Sequence, residues 1–534
     1  MRKLPSRLLL AAALASAVPA APAQTQTPAS AIRLPALGDA AGEDFTVGTE
    51  RRLGEQIMAE LRRDPDYLDD PLLLDYVQSL WAPLLSVARQ RGDITADTDS
   101  GLAWETFLVR DRAVNAFALP GGFVGVHLGL IAMTTSRDEL AAVLAHELSH
   151  VTQRHIARSI TSSSRQSLVG LAALLLGVLA ASRSGNSDAT QAVIVGSQAA
   201  MVQGQLNFSR DMEREADRIG WGMHSGAGFA PVGVASMFEK LENASRLNDS
   251  GAFPYLRSHP LTVERIGEAR TRVEAAAGPR RAAQAPLDHL LMQARARVLM
   301  DASVPALRRL QGQDGQAAGA PTSERVAALY ASALASLQLR EVARALAALD
   351  IALPLARGAA PNDARAAQAL ALLQAQALQA IGQAPQAAMV LAALEPAATG
   401  SPRPLLLARA QAALDAARST DDAALRASTE ALQTWVAERR SDATAWSLLA
   451  QCADALGLRL RALRAQAEAR AALGDTAGAI DRLRAAQRQA RSTEAVPDFI
   501  EASIIDTRLR ELIALRRAQF AEARGERGRQ EPPQ

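Results

Sequence analysis

Apolar residues recur every three to four positions along most of this chain, which is the spacing of amphipathic helices. In the first half, the pattern over residues 50–85 is interrupted at Asp64-Pro65 and therefore predicts two helices. Another long helix is expected to begin at Ser136-Arg-Asp-Glu139, whose residue types fit a capping box. A further helix is expected from Ser209 to the glycine-rich stretch that starts at Gly226.

Residues 104–109 and 116–127 differ from this pattern because they are rich in β-branched and aromatic residues. The sequence Leu119-Pro-Gly-Gly122 interrupts the second segment with turn-forming residues. Together the two segments predict a small sheet with a tight turn.

The second half of the chain is alanine-rich and indicates paired helices. The breakers Leu456-Gly457 and Leu473-Gly474 stand half a tetratricopeptide repeat apart, since that repeat is about 34 residues long. Ala450, Ala462 and Ala469 supply the small residues that such a repeat needs where its helices cross. An irregular helical bundle is the alternative interpretation.

Composition agrees with a folded, mainly α protein. The 534 residues are 49% hydrophobic and 4% aromatic, and 58 basic residues nearly balance 56 acidic ones. Disordered chains are more polar, and nucleic-acid-binding proteins usually carry a basic block that this sequence lacks. We expect an α+β domain with a small sheet over residues 46–278, followed by an all-α, tetratricopeptide-like superhelix over residues 287–522. The charged residues 523–534 are expected to form a disordered tail.

The N-terminus has the features of a secretory signal peptide. A basic start is followed by the apolar run Leu8–Val18 and by Ala21-Pro-Ala23, a small-residue cleavage site. Residues 1–23 are therefore expected to be removed, and residues 24–45 to form a linker. The apolar run Leu168–Ala181 is shorter than the roughly 20 residues of a membrane span. It is expected either to cover the core or to contact a membrane or substrate.

The candidate chemistry lies in His146-Glu147-Leu148-Ser149-His150. Residues four apart share a helix face, so both imidazoles can bind one cation while Glu147 contacts a water beside it. Two neutral imidazoles suit zinc, which lowers the pKa of bound water towards about 7. Glu213 is the candidate third ligand, and Asp217, four residues later, can accept the N–H of a ligating histidine. Glu215 is expected to point elsewhere, as a solvated surface acid.

Four sequence blocks resemble one group of metallopeptidases. They are NAFALPGG from Asn115, HELSHVTQRHIAR from His146, SRDMEREADRIG from Ser209 and SHPLTVERI from Ser258. Their order over residues 48–270 resembles that of the HtpX and CAAX-prenyl-protease group of gluzincin metallopeptidases. With the signal peptide and the helical tail, the chain looks most similar to a periplasmic member of that group.

The resemblance implies functional roles for residues in these blocks. It implies one Zn²⁺ ion per chain on His146, His150 and Glu213, with Glu147 as the general base and Asp217 supporting a ligand. It also implies that the strand containing Asn115, Ala116 and Phe117 pairs with extended substrate, which is strand addition at a sheet edge.

The block His259-Pro-Leu-Thr-Val-Glu-Arg265 adds two candidate residues. His259 is expected near the metal, where it would either stabilise the oxyanion of the tetrahedral intermediate or occupy the open coordination position of a latent enzyme. The alternative is a histidine that caps a helix. Arg265 is a candidate for orienting a partner residue or binding substrate carbonyls. The remaining histidines lack a partner pattern and are interpreted as structural: His127, His155, His224 and His289.

The resemblance therefore implies a periplasmic zinc metalloendopeptidase that acts on unfolded or misassembled envelope proteins. Outer-membrane β-barrel precursors are the expected clients, with chaperone-like assistance to their assembly. The helical repeats are expected to contact the client or the outer-membrane assembly machinery, since such repeats form concave binding surfaces. No nucleic-acid partner is expected, and any membrane contact would be peripheral. The alternative is a non-proteolytic chaperone or scaffold whose zinc site is structural or closed.

Overall fold

The structure, a computed structural model, describes residues 45–162, 209–247, 255–256, 259–276, 286–316, 319–394, 403–417, 422–492 and 498–528. The expected signal peptide, nearly all of the linker and the apolar run Leu168–Ala181 lie outside these residues. Among the helices that the structure describes, none is both long and apolar enough to cross a lipid bilayer.

Helices in the first half lie where the apolar pattern predicts them. The break at Asp64-Pro65 falls between the first two, and Ser209 caps a helix that ends at Gly226. The helices are α1 (Val47–Leu61), α2 (Pro71–Arg91), α3 (Ala96–Gly101), α4 (Leu128–Met133), α5 (Arg137–Thr152), α6 (His155–Ser162), α7 (Arg210–Gly226), α8 (Val232–Leu247) and α9 (Val263–Ala275).

The predicted small sheet is confirmed, and it has four strands in the order β1-β2-β4-β3. The strands are β1 (Tyr67–Leu68), β2 (Glu105–Val109), β3 (Ala116–Leu119) and β4 (Phe123–His127). β3 and β4 form an antiparallel hairpin, whereas β4 is parallel to β2. Gly121 and Gly122 occupy the turn with φ of 83° and 86°, a backbone conformation that glycine adopts without strain. This topology leaves β3 at an edge of the sheet.

Helix α5 is buried along nearly its whole length and packs against α2, α7, α8 and β3. Ser136 accepts a hydrogen bond from the Glu139 backbone N–H at 3.2 Å, as expected for its N-cap. The Glu139 carboxylate does not complete a capping box. It accepts hydrogen bonds from the Thr135 backbone and from Lys240 Nζ, each at 2.6 Å. The carboxylate therefore bonds the backbone one residue before the N-cap and also pairs with the lysine of α8.

The second half is all-α, and each helix packs against the next along the chain. The last helix continues to Gly528, six residues beyond the expected end of the helical region at residue 522. The helices are α10 (Leu287–Leu299), α11 (Val304–Gln311), α12 (Gln313–Gln316), α13 (Thr322–Gln338), α14 (Val342–Ala359), α15 (Ala364–Ala380), α16 (Ala384–Ala392), α17 (Arg403–Ala416), α18 (Asp422–Glu438), α19 (Ala443–Ala455), α20 (Arg459–Ala472), α21 (Thr476–Ser492) and α22 (Phe499–Gly528).

One hydrophobic core extends from α2 and α5 into α10, α13, α14 and α15. Helix α10 packs directly on α4 and α2 of the first half. Three aspartates just before or within α2 also pair with arginines of the second half: Asp69 with Arg403 at 2.6 Å, Asp70 with Arg295 at 2.6 Å, and Asp75 with Arg365 at 2.8 Å.

Candidate metal centre

Three histidines and a glutamate from separate parts of the sequence converge beneath the protein surface. They are His146, His150, Glu213 and His259, and one donor atom of each lies within 4.8 Å of the others. Helix α5 supplies the first two, α7 supplies Glu213, and the segment before α9 supplies His259. None is more than 4% exposed. The cluster is therefore shielded from solvent in this conformation.

Close packing of α7 on α5 places the glutamate opposite the histidines. Ala216 and Gly220 lie on the contacting face of α7, and a Cβ atom at Gly220 would stand 3.1 Å from the carbonyl oxygen of Ala145. Glu213 lies in the first turn of α7, where the positive end of the helix dipole stabilises a carboxylate.

The donor atoms face a common point. His146 Nε2 lies 3.0 Å from His150 Nε2 and 3.3 Å from His259 Nδ1. Glu213 places Oε1 2.9 Å from His259 Nδ1 and Oε2 3.4 Å from His146 Nε2. Imidazole nitrogens and a carboxylate oxygen are donors that zinc prefers, and four of them suit its tetrahedral geometry. The residues present therefore fit a bound metal ion.

Asp217 and Arg265 lie directly behind this cluster. Asp217 Oδ1 is 3.0 Å from His146 Nδ1, the ring nitrogen that faces away from the common point. Arg265 donates two hydrogen bonds to Asp217, at 2.6 and 2.8 Å, and its Nη1 lies 2.9 Å from Glu213 Oε2. The structure thus brings both residues to the positions that supporting roles require, and the roles themselves stay predictions.

The pKa values of the two α5 histidines shift in opposite directions. Burial lowers the pKa of His146, but hydrogen bonds to Asp217 and Glu213 outweigh burial and raise this pKa to about 10. Burial and the neighbouring His146 together lower the pKa of His150 well below its usual value. Burial opposes ionisation of Glu213, yet His259 and His146 hold its pKa well below the usual range. The cluster therefore favours an ionised Glu213.

Glu147 lies between the cluster and the sheet. Its carboxylate is fully buried, and Oε1 stands 3.5 Å from His259 Nε2. Burial raises the pKa of Glu147, while the charges of His259 and His146 and the backbone of Ala118 in β3 act in the opposite direction. A buried carboxylate with a raised pKa is suited to proton transfer near neutral pH.

The predicted substrate-binding residues lie at the edge of the sheet, but their side chains point into the protein. Asn115, Ala116 and Phe117 are all at most 2% exposed, and the Phe117 ring packs edge-on against His127 at 5.7 Å. The Asn115 carbonyl accepts a hydrogen bond from the His127 N–H at 3.0 Å. Since antiparallel pairs alternate, the backbone groups of Ala116 and Ala118 point away from β4. Both alanines are at most 3% exposed, so these backbone groups are also covered in this conformation.

His155 and Glu215 have contacts that the sequence does not indicate. His155, interpreted as structural, places Nδ1 2.9 Å from His150 Nδ1 and Nε2 3.1 Å from Glu215 Oε2. Glu215, expected to be solvated, also pairs with Arg158 Nη1 at 2.9 Å. The helix break at Arg154, with φ of 50°, brings His155 back against His150, and spacing along a continuous helix does not predict that turn.

Comparisons with known proteins show that the sequence around this cluster is similar to peptidases. Residues 85–273 match the model of Peptidase family M48. A relative from Vibrio cholerae serotype O1, named as a beta-barrel assembly-enhancing protease, is 36% identical over 272 residues, covering 51% of this chain and 53% of that protein. The beta-barrel assembly-enhancing protease of Escherichia coli K12 is 34% identical over 243 residues, covering 46% and 47%.

The similarity extends to a mitochondrial protein. Mitochondrial metalloendopeptidase OMA1 of Schizosaccharomyces pombe is 35% identical over 179 residues, which are 31% of this chain and 46% of that protein. The chain therefore spans about half the length of the curated relatives it matches. The segment that matches the family model contains every residue of the cluster, so the cluster lies in the part of this chain that is similar to Peptidase family M48.

Proposed function

We propose that this chain is a zinc-dependent endopeptidase. The observation that carries the proposal is the convergence of His146, His150 and Glu213, with Glu147 beside them, inside the segment that matches the M48 model. When bound, zinc polarises a peptide carbonyl and lowers the pKa of water towards about 7. The first three residues would hold the ion.

Glu147 is the general base of the proposed reaction. It takes a proton from the attacking water and delivers it to the leaving amine, and proton transfer by a positioned group contributes roughly 10²–10⁴-fold to rate. Its position next to His146 on α5 brings it beside the cluster without making it a ligand. Asp217 and Arg265 fix the ring of His146 and the carboxylate of Glu213.

His259 would supply the fourth donor to the ion in this conformation. Its Nδ1 faces Glu213 and His146, and the residue is 1% exposed. Of its two expected roles, this placement favours the ligand of a latent enzyme over the stabiliser of an oxyanion. The segment that carries His259 must therefore move before a peptide can reach the ion.

The proposed substrates are extended polypeptides that add a strand to β3. The outward backbone groups of Ala116 and Ala118, which are buried in this conformation, would have to be uncovered before they pair with the peptide backbone, and Ala118 lies beside Glu147. A folded protein cannot offer a free strand, so unfolded or misassembled proteins are the proposed clients.

The names of the bacterial relatives refer to β-barrel assembly, which supports our proposal of outer-membrane β-barrel precursors as the client class. The signal-peptide features of residues 1–23 support the periplasm as the proposed compartment. We propose that the all-α half forms tetratricopeptide-type repeats that contact the client or the assembly machinery and assist assembly. The closed cluster is also compatible with the second candidate, a chaperone or scaffold that does not cleave its clients.

Replacing Glu147, the proposed general base, distinguishes an endopeptidase from a scaffold that does not cleave its clients. Wild-type protein is expected to contain one zinc ion per chain and to cleave casein, an unfolded substrate. Glu147→Gln should keep the zinc and lose cleavage by at least about 100-fold. Exposed Glu268→Gln on α9 is the matched control and should behave as wild type. Equal cleavage by wild type and Glu147→Gln would remove Glu147 from the mechanism, and an intact but inactive wild type would favour the scaffold.

The same assay tests His259. His259→Ala should accelerate casein cleavage if this histidine blocks the fourth position. A loss of cleavage with zinc retained would instead favour the oxyanion role.

A further inference from the structure

The second ring nitrogen of His150 contacts His155, a residue that the proposed mechanism does not use. We propose that His155 is a positioning residue that orients the His150 ring towards the metal, and that Glu215 in turn orients His155. This inference rests on the metal site of the proposed function, and it adds a support that neither the family match nor the relatives' names specify.

The geometry assigns different tasks to the two nitrogens of His150. Nε2 faces the cluster, 3.0 Å from His146 Nε2 and 3.5 Å from Glu213 Oε1. Nδ1, on the other side of the ring, lies 2.9 Å from His155 Nδ1. The two rings cross at 73° and both residues are 0% exposed. The contact is therefore a buried hydrogen bond between two imidazoles.

Proton accounting fixes the direction of this hydrogen bond. A metal ligand must be a neutral imidazole with a lone pair on the ligating nitrogen, so His150 carries its hydrogen on Nδ1. His150 then donates and His155 Nδ1 accepts. A neutral His155 carries its own hydrogen on Nε2, where Glu215 Oε2 accepts it at 3.1 Å. Arg158 Nη1 holds the Glu215 carboxylate at 2.9 Å.

His146, the other proposed ligand on α5, is also supported through its second ring nitrogen, but without an intervening histidine. His146 Nδ1 meets Asp217 directly, and Arg265 stands behind that carboxylate. Each ligand ring is thus backed by an acceptor, and each chain of contacts ends in a carboxylate paired with an arginine. Outer partners of this kind fix the tautomer and orientation of a ligating histidine.

Helix geometry explains why His150 needs an intermediate residue. Glu215 follows Glu213 by two positions, so the two side chains leave α7 on nearly opposite sides. Glu215 therefore faces α6 instead of the metal cluster. The break at Arg154, held by Glu50 Oε2 at 3.1 Å and by the Phe45 carbonyl at 2.6 Å, places His155 between Glu215 and His150.

Zinc affinity, measured on the full chain by competition with a chromogenic chelator, tests this role without reference to peptide cleavage. His155→Phe keeps a ring of similar shape but no nitrogen, and we expect it to bind zinc about 10–100-fold more weakly. His155→Asn places an amide oxygen near the position of Nδ1 and should recover most of the affinity. His224→Phe, a buried histidine at the far end of α7, is the matched control and should bind zinc as wild type does.

Several outcomes would overturn the proposal. Unchanged zinc affinity in a folded His155→Phe protein does so, and so does an equal loss in the Phe and Asn variants. If His155→Phe does not fold, Glu215→Ala tests the same proposal. A loss of zinc affinity of at least threefold supports it, and wild-type zinc affinity overturns it. Failure of the proposed function looks different, because wild type itself would then bind no zinc at the cluster.

Discussion

Arg265 illustrates, at the scale of single residues, how a buried anionic site is kept ionised. It is 4% exposed, and it contacts both Asp217 and Glu213. Two neighbouring carboxylates repel each other, which favours protonation, but the guanidinium that contacts both of them stabilises their ionised forms. Hydrogen bonds from Arg265 and His146 accordingly outweigh burial and lower the pKa of Asp217.

Replacing this arginine should disrupt the site. We expect Arg265→Met to lower the free energy of unfolding by about 3–5 kcal/mol, because it leaves buried carboxylates without their partner. Denaturant unfolding monitored by circular dichroism measures the change. Arg270→Met, on the same helix, removes an exposed pair with Glu239 and should cost no more than about 1 kcal/mol. Similar losses in the two variants would contradict the role given to Arg265.

The site residues differ in how far the sequence alone could predict them. His146, Glu147 and His150 follow from spacing on one helix, because neighbours along a helix are set by local geometry. Glu213 and His259 belong to distant segments. The spacing of Glu213 and Asp217 makes Glu213 a candidate ligand, whereas only the family resemblance indicates His259. His155 was missed because its position depends on the turn at Arg154, which has no marked signal in the sequence.

At the scale of elements, the position of α7 against α5 determines the geometry of the cluster. Gly220 allows the two helices to approach until a side chain would meet the backbone of Ala145 and His146. The sequence predicted both helices and the cap at Ser209. It did not predict their contact, because helix packing depends on side chains far apart in the chain.

A larger residue at this contact should separate the two helices. Gly220→Val is expected to lower stability by about 1–3 kcal/mol through overpacking, and to weaken zinc binding because Glu213 moves away from His146. Thermal unfolding and chelator competition measure the two effects. Gly267→Val on α9 has open space around its Cβ position and is the control. Wild-type zinc affinity in Gly220→Val would show that the close approach is not needed.

Only part of the sheet could likewise be predicted from the sequence. The hairpin of β3 and β4 was predicted from its turn, since the residues Pro120-Gly-Gly122 favour a reversal. The parallel pairing of β2 with β4, which leaves β3 at the edge, could not be predicted because it joins segments that no short turn connects.

At the scale of the whole molecule, the two halves share buried polar contacts as well as a core. His289 of α10 is an example. Its Nδ1 lies 2.6 Å from the Tyr76 hydroxyl of α2, and its Nε2 lies 3.1 Å from the Thr134 carbonyl. A neutral ring satisfies both contacts, since Nε2–H donates to the carbonyl and Nδ1 accepts from the hydroxyl. The change in composition near residue 280 predicted separate segments, but it carried no information about these contacts.

The pH dependence of stability follows from this arrangement. Burial lowers the pKa of His289 from 6.5 to about 4. The unfolded chain therefore binds more protons, so stability present above pH 6.5 is lost as the pH falls towards 4, by about 3 kcal/mol for this residue. Urea unfolding at pH 7 and pH 4 should show a smaller loss in His289→Gln than in wild type.

A second variant separates titration from packing. Tyr76→Phe removes the hydroxyl that contacts His289 but leaves the histidine buried, so it should lose stability at both pH values and keep most of the pH dependence. An equal pH dependence in wild type and His289→Gln would rule out this histidine as its source.

The central claim is that α5 and α7 together hold a metal ion. Anomalous diffraction at the zinc edge, from crystals of the full chain prepared with zinc, tests it most directly. We expect one strong peak per chain, about 2.0–2.2 Å from His146 Nε2, His150 Nε2 and an oxygen of Glu213. A zinc-loaded crystal whose peaks all lie away from these three residues would contradict it.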